Sequence, residues 1–437
     1  MAIAEQSQPL RVGLCGLGNV GQGLLELLIL NAEQIESQAG RPIQITQIAS
    51  RTPKPHLNLG EARFSTDIDA LIAANDVDVV VELIGGERRA KDLSLACLEL
   101  GKPLVTGNKA LLALHGAQLF DLARRNGVSI GIEAAVAGGI PIINALMSGL
   151  AGNQIESVVG IINGTCNYIL SAMTQERADF AATLATAQAL GYAEADPSFD
   201  IGGVDAAHKI AIVAGLVFGA PVDFADVYVE GIEGIAAEDI EYATQLGYRI
   251  KHLGIARRRG AAIEVRAHPA LVPEAELLAG VHGVSNALVV YDNAVGQSVY
   301  SGPGAGGVPT AASVVADLIR LARGSVHQIT REDDRSAQVL DIGAAQSAFY
   351  VRIPVLDQPG VLAELARLFG AQGISIESVI QREQAVRSQS DQAWVPIVLV
   401  TNRVTEAALR TALETIAAQP AVVGELITIR VESLVGR

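Results

Sequence analysis

Residues 11–30, RVGLCGLGNVGQGLLELLIL, contain an apolar run, a glycine-rich turn and a segment with helical periodicity. The glycines have GxGxxG spacing: Gly16 allows a tight turn, Gly18 lets a pyrophosphate approach the backbone, and Gly21 lets helix and strand pack closely. Because the turn joins a strand to a helix, it predicts a dinucleotide site, with a purely structural turn as the alternative. The predicted cofactor contacts in it are Gly16, Gly18, Asn19, Val20 and Gly21.

Strand and helix patterns alternate through the nucleotide-binding segment. Further apolar runs that predict strands lie at residues 42–50, 76–86, 102–109 and 128–133. Such alternation predicts an α/β fold with a Rossmann-type, doubly wound parallel sheet, whose ligands bind at the carboxyl ends of the strands. The pattern changes near residue 132, and the strands and helices beyond it predict a second α/β domain for substrate binding and dimerisation.

Cations follow the second predicted strand, which ends at Ser50-Arg51 with Lys54 nearby. An NAD-specific site usually offers an acidic residue to the ribose diol here, whereas cations suit a 2′-phosphate. Arg51 is therefore a predicted cofactor contact, and NADP is the expected cofactor, with NAD as the alternative. Lys109 ends the fourth strand at the same edge, where it can reach the nicotinamide ribose or a substrate carboxylate. The alternative for Lys109 is an ordinary surface lysine.

Composition and charge narrow the function classes. The chain has 437 residues, of which 50% are hydrophobic, enough for two or three domains. A net charge of -15 repels nucleic acid and anionic membranes, so neither is an expected partner. Residues 134–154 carry no charge and approach the length of a membrane span, but glycines and Pro141 interrupt them. A buried connection is therefore predicted.

The cysteines Cys15, Cys97 and Cys166 are far apart and form no CxxC pair. We therefore expect small core thiols in a reducing compartment. Residues 1–9, MAIAEQSQP, lack the basic and apolar regions of a signal peptide. A cytoplasmic location is the expectation.

The end of the chain predicts a separate module. Residues 347–383 have a strand-helix-strand pattern that residues 393–432 repeat, which predicts a ferredoxin-like βαββαβ fold. The polar residues 381–392 predict a loop between the two halves. The predicted domains are a dinucleotide-binding domain at 1–133 with a returning helix at 305–333, a catalytic and dimerisation domain at 134–304, and a regulatory domain at 345–437.

Residues 191–209, GYAEADPSFDIGGVDAAHK, concentrate acidic groups and one lysine before an apolar helix. Asp205 and Lys209 are at i and i+4, on one helix face, in the order that favours pairing. Glu194 and Asp200 precede them on a segment that can fold over that face. The stretch predicts a catalytic site, and a solvated loop that caps an amphipathic helix is the alternative.

Six motifs carry a resemblance to a known family. They are GLGNVG, VELIGG, GNKALLA, NGTCNYIL, GYAEADPSFDIGGVDAAHK and GPGAGGVPTA, in the order found in homoserine dehydrogenases of the stand-alone type. LDQPGVLAELARLF and GISIESV resemble an ACT domain, a small amino-acid-sensing fold. This resemblance implies interconversion of L-aspartate 4-semialdehyde and L-homoserine with a nicotinamide cofactor, in threonine, methionine and isoleucine biosynthesis.

The resemblance also implies roles for individual residues. Lys209 is the expected proton donor to the aldehyde oxygen, and Lys109 lies on the cofactor and substrate side. The expected substrate-binding residues are Glu194, Asp205, Asp200 and Thr165, and further expected cofactor contacts are Gly191 and Gly307. The family's sodium site maps to Glu133, Val136, Gly138 and Ile140. One departure is Cys166, where a second threonine is frequent.

The substrate chemistry supports these assignments, because acids suit the substrate ammonium and lysines suit its carboxylate and aldehyde. We expect an effector, threonine, at the turn of residues 357–362, and a homo-oligomer, a dimer or tetramer, because ACT domains commonly pair edge to edge. Two alternatives stay open. A semialdehyde dehydrogenase acting through an acyl intermediate would need Cys166 as its nucleophile, and a non-enzymatic sensor would be expected to lack Lys109 or Lys209.

Overall fold

The computed structural model of the chain describes residues 8–324, 337–382, 387–389 and 392–433. The first part contains β1 (Leu10–Cys15), α1 (Asn19–Leu30), α2 (Ala32–Ala39), β2 (Ile43–Ala49), β3 (Arg63–Ser65), α3 (Ile68–Ala73), β4 (Val79–Glu82), α4 (Arg88–Glu99), β5 (Leu104–Thr106), α5 (Lys109–Arg125) and β6 (Ile130–Gly131). The middle part contains α6 (Ile142–Asn144), β7 (Ile155–Ile161), α7 (Gly164–Glu176), α8 (Phe180–Ala189), α9 (Ser198–Ile201), α10 (Val204–Val217), β8 (Tyr228–Val229), α11 (Ala237–Gln245), β9 (Tyr248–Arg259), β10 (Ala262–Pro273), β11 (Ser285–Asp292), β12 (Gly296–Pro303) and α12 (Gly307–Ala322). The last part contains β13 (Gln346–Leu356), α13 (Val361–Ala371), β14 (Ile376–Gln381), β15 (Arg387–Gln389), β16 (Gln392–Thr401), β17 (Val404–Thr405), α14 (Glu406–Ala417) and β18 (Ile427–Val431).

The first sheet has six parallel strands in the order β3-β2-β1-β4-β5-β6. This confirms the predicted Rossmann-type doubly wound sheet. Strand β4 is buried along its whole length, as expected for a parallel strand covered by helices on both faces. The strand order reverses between β1 and β4, and this switch point opens a crevice at the carboxyl ends of the strands. Strand β3 was not predicted, because it has only three residues and Phe64 is its one apolar side chain.

The second sheet has twelve strands, and its main path runs β12-β11-β7-β9-β10-β18-β13-β16-β14. Its centre is the antiparallel pair β9 and β10, in register from Tyr248 opposite Pro273 to Arg259 opposite Ala262. Strand β9 was missed in the sequence analysis because charged residues interrupt its apolar pattern. The second α/β domain is therefore built on a mixed sheet.

The last four main strands, in the order β18-β13-β16-β14, form the sheet of the C-terminal module. Together with α13 and α14 they confirm the predicted βαββαβ fold. Within the predicted polar loop 381–392, residues 387–389 form β15, which pairs with β16, while residues 383–386 and 390–391 lie outside the described residues. The two modules share one sheet, because β18 pairs in parallel with β10 through Ala270 to Arg430 and Leu271 to Val431.

Helix α12 returns to the nucleotide-binding sheet and packs against α1. The two backbones approach closely: a Cβ at Gly23 would lie 2.6 Å from the carbonyl carbon of Gly307, and one at Gly307 would lie 2.8 Å from the carbonyl oxygen of Asn19. Val314 and Leu318 of α12 join the apolar core of this domain. The helix ends at Ala322, and the remainder of the predicted segment from residue 325 onward lies outside the described residues.

The uncharged residues 134–154 begin as a buried connection up to Ile140 and become partly exposed from Pro141 onward, where α6 follows. The helices in the described part of the chain fall short of the length and apolarity needed to cross a membrane. Cys15, Cys97 and Cys166 are buried as separate thiols.

Candidate active site

Asp205 connects two lysines from different domains. Its Oδ1 lies 2.7 Å from Nζ of Lys109, the first residue of α5, and its Oδ2 lies 2.7 Å from Nζ of Lys209, one turn along α10. The Asp205 side chain is 3% exposed and that of Lys209 is 11% exposed, whereas Lys109 is 35% exposed. Helix α10 is apolar nearly all round, which buries it between the two domains and holds this cluster in place.

Asn163 connects the two carboxylates of the cluster. Its Nδ2 donates to Asp205 Oδ2 at 2.9 Å and to Asp200 Oδ1 at 2.7 Å. Its Oδ1 accepts from the backbone N–H of Cys166 at 2.8 Å, so the same side chain caps helix α7. The sequence analysis did not predict this role, although an asparagine at a helix start signals a capping residue. The neighbouring carbonyl of Ile162 accepts from Lys209 Nζ at 2.8 Å.

Thr165 and Asp200 lie beside this cluster. The hydroxyl of Thr165 donates to the carbonyl of Tyr192 at 2.7 Å and is 3.4 Å from Asp200 Oδ2. Asp200 belongs to the one-turn helix α9, which brings its carboxylate next to Asn163. The structure therefore brings together Lys109, Lys209, Asp205, Asp200 and Thr165 of the predicted site.

The charges in the cluster shift one another's pKa values. Burial alone would raise the pKa of Asp205, but the ammonium groups of Lys209 and Lys109 outweigh it and hold the pKa below its usual range. Burial would lower the pKa of Lys109, yet Asp205, Asp200 and Glu194 together raise it. Burial and the negative charge of Asp205 raise the pKa of Asp200. Lys109 is therefore held charged, and of the two aspartates Asp200 is the one that protonates more readily.

A cleft of ≈ 490 Å³ opens at the carboxyl ends of β1, β4 and β5. Its lining includes the glycine turn, the loop after β4, Lys109, Phe199 and Thr310 of α12. Lys109 Nζ lies 5.5 Å from the centre of the Phe199 ring, a cation-π contact. Lys109 is thus the lysine that faces both the cleft and the acidic cluster.

The glycine turn has the geometry that a pyrophosphate requires. Gly16 has φ of 108°, and a Cβ there would lie 2.5 Å from the carbonyl oxygen of Leu83. A Cβ at Gly21 would lie 2.2 Å from the carbonyl oxygen of Gly16, whereas a Cβ at Gly18 would meet no atom within 4 Å. Helix α1 begins without a capping side chain or an acidic residue in its first turn, so its N–H groups suit an anion. Asn19 and Val20 also line the cleft.

Glu82 organises the neighbouring loops, a role that the sequence analysis did not assign. Its buried carboxylate accepts from the Thr106 hydroxyl at 2.5 Å and from the backbone N–H groups of Ile84 at 2.9 Å and Gly85 at 3.2 Å. Burial raises its pKa against these hydrogen bonds. A carboxylate at the end of an otherwise apolar strand is the sequence signal that marks it.

The remaining predicted residues lie around this centre. Arg51 is exposed just after β2, and Gly16 N–H donates to the carbonyl of Ala49 at the end of that strand. Glu194 is exposed, and its charge acts on Lys109. Gly307 begins α12, and Gly191 ends the turn after α8 with φ of 75° and does not line the cleft.

The predicted cation residues surround the start of α6. The Glu133 carboxylate accepts from the backbone N–H groups of Ile143 at 2.9 Å and Asn144 at 2.8 Å, and Arg320 Nη1 lies 3.7 Å from it. Burial and the charge of Asp317 raise the pKa of Glu133 to about 7. Protein groups therefore already bind the Glu133 carboxylate in the place that a cation would take.

The three backbone positions of the predicted cation site form a loop against the glycine-rich segment. The carbonyl of Gly138 accepts from Ser313 Oγ at 2.6 Å, and that of Ile140 accepts from the backbone N–H of Ile142 at 2.7 Å. Val136 lies buried in the same loop. Among the described residues, no group of three or more histidine, cysteine, aspartate or glutamate side chains is arranged to hold a metal ion.

Two other residues of the stretch 163–209 are structural in character. His208 is buried with its ring against Phe199 and Phe224, and burial lowers its pKa. Cys166 is fully buried, its thiol donates to the carbonyl of Asp200 at 3.2 Å, and burial raises its pKa. A buried thiol of raised pKa is a poor nucleophile, which argues against an acyl-enzyme mechanism.

Three family profiles together match most of the chain. The profile of the homoserine dehydrogenase family matches residues 141–319, that of the homoserine dehydrogenase NAD-binding domain matches residues 16–133, and that of the ACT domain matches residues 349–421. The matched segments coincide with the mixed-sheet domain, the parallel-sheet domain and the βαββαβ module.

Relatives and solved structures agree over the full length. A homoserine dehydrogenase of Pseudomonas aeruginosa is 47% identical over 436 residues, covering 98% of this chain and 100% of the relative. One of Neisseria gonorrhoeae is 45% identical over 437 residues, covering 98% and 99%. The crystal structure of a homoserine dehydrogenase from Thiobacillus denitrificans superimposes with a TM-score of 0.93 at 43% identity, covering 98% of this chain and 99% of that one. By sequence and by fold, the chain belongs to the homoserine dehydrogenase family.

Proposed function

We propose that the cleft beside Asp205 is where the chain interconverts L-aspartate 4-semialdehyde and L-homoserine with a nicotinamide cofactor. The observation that carries this proposal is the contact of one buried carboxylate with two lysines, Lys109 and Lys209, at the edge of a cleft that begins at the glycine turn.

The cofactor would lie along the glycine turn. Gly18 leaves room for the pyrophosphate, and the N–H groups at the start of α1 would bind it. When bound, the nicotinamide supplies or accepts the hydride at the substrate carbonyl carbon. Lys109, between this cleft and Asp205, is proposed to bind the substrate carboxylate or the nicotinamide ribose.

Lys209 is the proposed donor of the proton that the substrate oxygen receives. An ammonium has three hydrogens, and Lys209 uses two of them on Asp205 and the carbonyl of Ile162. The third is available for the substrate oxygen. Reduction of the aldehyde places negative charge on this oxygen, and a held ammonium stabilises the alkoxide and then protonates it. Oxidation of homoserine reverses the transfer, with the neutral amine accepting the proton.

The substrate ammonium is proposed to bind to the acidic residues near Lys109. Glu194 and Asp200 lie near enough for their charges to act on Lys109, and Thr165 adds a hydroxyl beside Asp200. Asp205 has both oxygens occupied by lysines, so its proposed role is to orient the two ammonium groups.

The assay that tests this function is NADPH oxidation by the purified chain with L-aspartate 4-semialdehyde, with homoserine identified as the product. We expect turnover that depends on the semialdehyde and runs in reverse with homoserine and NADP. Failure to form homoserine from the semialdehyde with either NADPH or NADH would overturn the proposal.

The preference for NADP is assigned to Arg51. An exposed guanidinium after β2 can bind a 2′-phosphate bidentately. Arg51→Ala should raise KM for NADPH by about tenfold, the value of one charge-assisted hydrogen bond, and leave KM for NADH unchanged. Equal effects on both cofactors would remove this assignment.

A monovalent cation, Na⁺, is proposed at the backbone carbonyls of Val136, Gly138 and Ile140, since hard cations prefer oxygen ligands. The Glu133 carboxylate fits this set poorly because Arg320 lies 3.7 Å from it. Thermal unfolding in sodium chloride and in tetramethylammonium chloride at equal ionic strength tests the site. We expect a higher Tm in sodium, and equal values would contradict it.

Threonine is the proposed effector of the ACT domain, and its proposed site is the turn between β13 and α13. A second proposal is that the chain forms homo-oligomers through the edges of its sheet. Strand β14 ends the twelve-stranded sheet, and Val379 on it is 42% exposed. Light scattering with and without threonine tests both points. Unchanged activity and thermal stability at millimolar threonine would contradict the proposed effector. A monomer at micromolar protein concentration would contradict the proposed oligomer.

A further inference from the structure

A second cavity, of ≈ 290 Å³, lies where the sheet of the ACT domain joins the catalytic sheet. Its walls come from β7 and β9 on the catalytic side, and from the start of β13 and the residues after β18 on the other. This is the place where β10 and β18 pair. Neither the nucleotide cleft nor the lysine cluster contributes a residue to it.

A buried charge cluster lies behind this cavity. Arg266 Nη2 donates to Glu432 Oε1 at 2.6 Å, and Arg259 Nε donates to Glu264 Oε1 at 2.9 Å. Arg266, Glu264 and Glu432 are each less than 5% exposed. The buried members are Arg257 and Arg266 with Glu264 and Glu432, whereas Arg259 reaches Glu264 from the surface with its side chain 39% exposed.

Arg257 is the member of this cluster with the weakest partners. Its Nη1 lies 3.7 Å from Glu264 Oε2 and its Nη2 lies 3.5 Å from Glu432 Oε2, and its guanidinium makes no hydrogen bond to the described residues. The side chain is only 13% exposed, and it lines the cavity. Burial lowers its pKa, which the two carboxylates oppose, and an arginine stays protonated at neutral pH.

The cluster is also incompletely satisfied inside. Nε and Nη1 of Arg266 and Oε2 of Glu264 are buried without a hydrogen-bond partner among the described residues. At the mouth of the cavity, Arg403 adds a further positive charge and Glu156 a negative one. The buried part, with two arginines and two glutamates, is neutral overall. Among the residues that line the cavity, however, arginines outnumber carboxylates by four to two.

We propose that this cavity is a binding site for a small oxyanion, a carboxylate or a phosphate, held by Arg257. A guanidinium presents its N–H groups as a planar fork that matches two oxygens of either group. The net positive lining of the cavity attracts an anion. The anion supplies acceptors to Arg257, from which Glu264 and Glu432 lie 3.7 Å and 3.5 Å away. The site is separate from the proposed active site, and its test does not depend on activity.

Such a ligand would connect the ACT domain with the strand that supports the catalytic lysine. Gly254 lies three residues before Arg257 on β9, and a Cβ there would lie 2.6 Å from Ile162 and 3.2 Å from Ile210. The carbonyl of Ile162 binds Lys209, and Ile210 follows it in α10. Because the cavity has walls from both sheets, a bound anion should stabilise their junction and raise the Tm of the full chain.

The test uses the full chain, titrated with sodium phosphate and with sodium acetate at constant ionic strength and followed by calorimetry and by thermal unfolding. Arg257→Gln removes the proposed ligand-binding group. Arg367→Gln removes an exposed arginine of α13, and is the matched control because it makes the same change in net charge. Ser433→Trp fills the mouth of the cavity and leaves the arginines intact.

We expect saturable binding of at least one of the two anions to the wild type and to Arg367→Gln. Arg257→Gln should weaken it by about tenfold or more, the value of a lost charge-assisted contact. Ser433→Trp should also weaken it, because the ring occupies the mouth of the cavity. The anion that binds identifies the ligand as carboxylate or phosphate. If Arg257→Gln does not fold, Ser433→Trp decides alone. Absence of saturable binding to the wild type, or equal binding by the wild type and Ser433→Trp, would contradict the proposal.

Discussion

Asp205 and Asp239 are both buried aspartates that bind at least two side chains, yet their surroundings differ. Asp205 holds two lysines, one of which is 35% exposed and faces the nucleotide cleft. Asp239 holds Arg352 through bonds of 2.6 Å and 3.0 Å and the Tyr350 hydroxyl through one of 2.9 Å. Arg352 and Tyr350 come from β13, so this second pair fastens the ACT domain to α11.

The difference lies in what the partners can do. A lysine can lose its proton in a suitable site, whereas an arginine does not, and a bidentate guanidinium fixes geometry. Burial would lower the pKa of Arg352, but its hydrogen bonds to Asp239 raise it instead. We therefore interpret the Asp205 cluster as chemical and the Asp239 cluster as structural.

Among the effects that distinguish the Asp205 cluster from the Asp239 cluster, the largest is expected for a substitution of Asp205. Asp205→Asn removes the charge that holds both lysines, and misplacement of catalytic groups should lower kcat/KM by about 10²-fold or more. Steady-state kinetics measures it. Asp196→Asn is the control from the same segment, because Asp196 is exposed and its hydrogen bonds go to Ser198 in its own turn. Similar kcat/KM values for Asp205→Asn and Asp196→Asn would contradict the chemical role of the Asp205 cluster.

The opposite result is expected at Asp239. Asp239→Asn leaves Arg352 without its buried partner and should lower the free energy of unfolding by about 3–5 kcal/mol. Activity of the folded protein at low temperature should change little, because Asp239 bonds to groups near its own helix and on β13 and to none of the proposed active-site residues. Denaturant unfolding measures the first and kinetics the second. Glu364→Gln, which breaks an exposed pair of α13, should change stability little.

Glu194 sharpens the interpretation of the active-site cluster. Glu194→Gln should raise KM for the amino-acid substrate by about tenfold, the value of one hydrogen bond to a charged group, with a smaller change in kcat. We expect this result because Glu194 is proposed to bind the substrate ammonium and to take no part in the proton transfer. An effect on kcat alone would move Glu194 to another role.

The smallest expected effect is a pH dependence at Asp200. Its pKa is raised in the folded chain, so the native state binds a proton more readily than the unfolded state. Its contribution to stability therefore falls as pH rises from the unfolded value of 3.8 through the raised folded value. Asp200→Asn should gain stability relative to the wild type over this interval. Urea unfolding at several pH values measures the difference, and a constant difference would contradict the assigned shift.

The sequence predicted most of the fold for identifiable reasons. Apolar strands with glycine turns predict the parallel sheet, and two strand-helix-strand patterns predict the ACT module. Strand β3 is too short to show an alternating pattern, and charged residues interrupt the apolar pattern of β9. The joining of the two sheets rests on two residue pairs between β10 and β18, and side-chain periodicity does not reveal which strand lies beside which.

The site was predictable where its residues lie close together in sequence. The i, i+4 spacing of Asp205 and Lys209 predicts their pairing, which the structure contains at 2.7 Å. The contact of Lys109 with Asp205 crosses domains and has no local signal. Asn163 and Glu82 were missed in their roles because a capping asparagine or a strand-end carboxylate becomes informative only when its distant partners are known.

The central claim is that Lys209 provides the proton. Its most direct test is the single-turnover rate of NADPH oxidation with saturating L-aspartate 4-semialdehyde, measured for the wild type and for Lys209→Ala. We predict a decrease of about 10²–10⁴-fold, the usual contribution of a positioned proton donor, with NADPH binding unchanged. A Lys209→Ala variant that turns over at the wild-type rate would contradict the assignment.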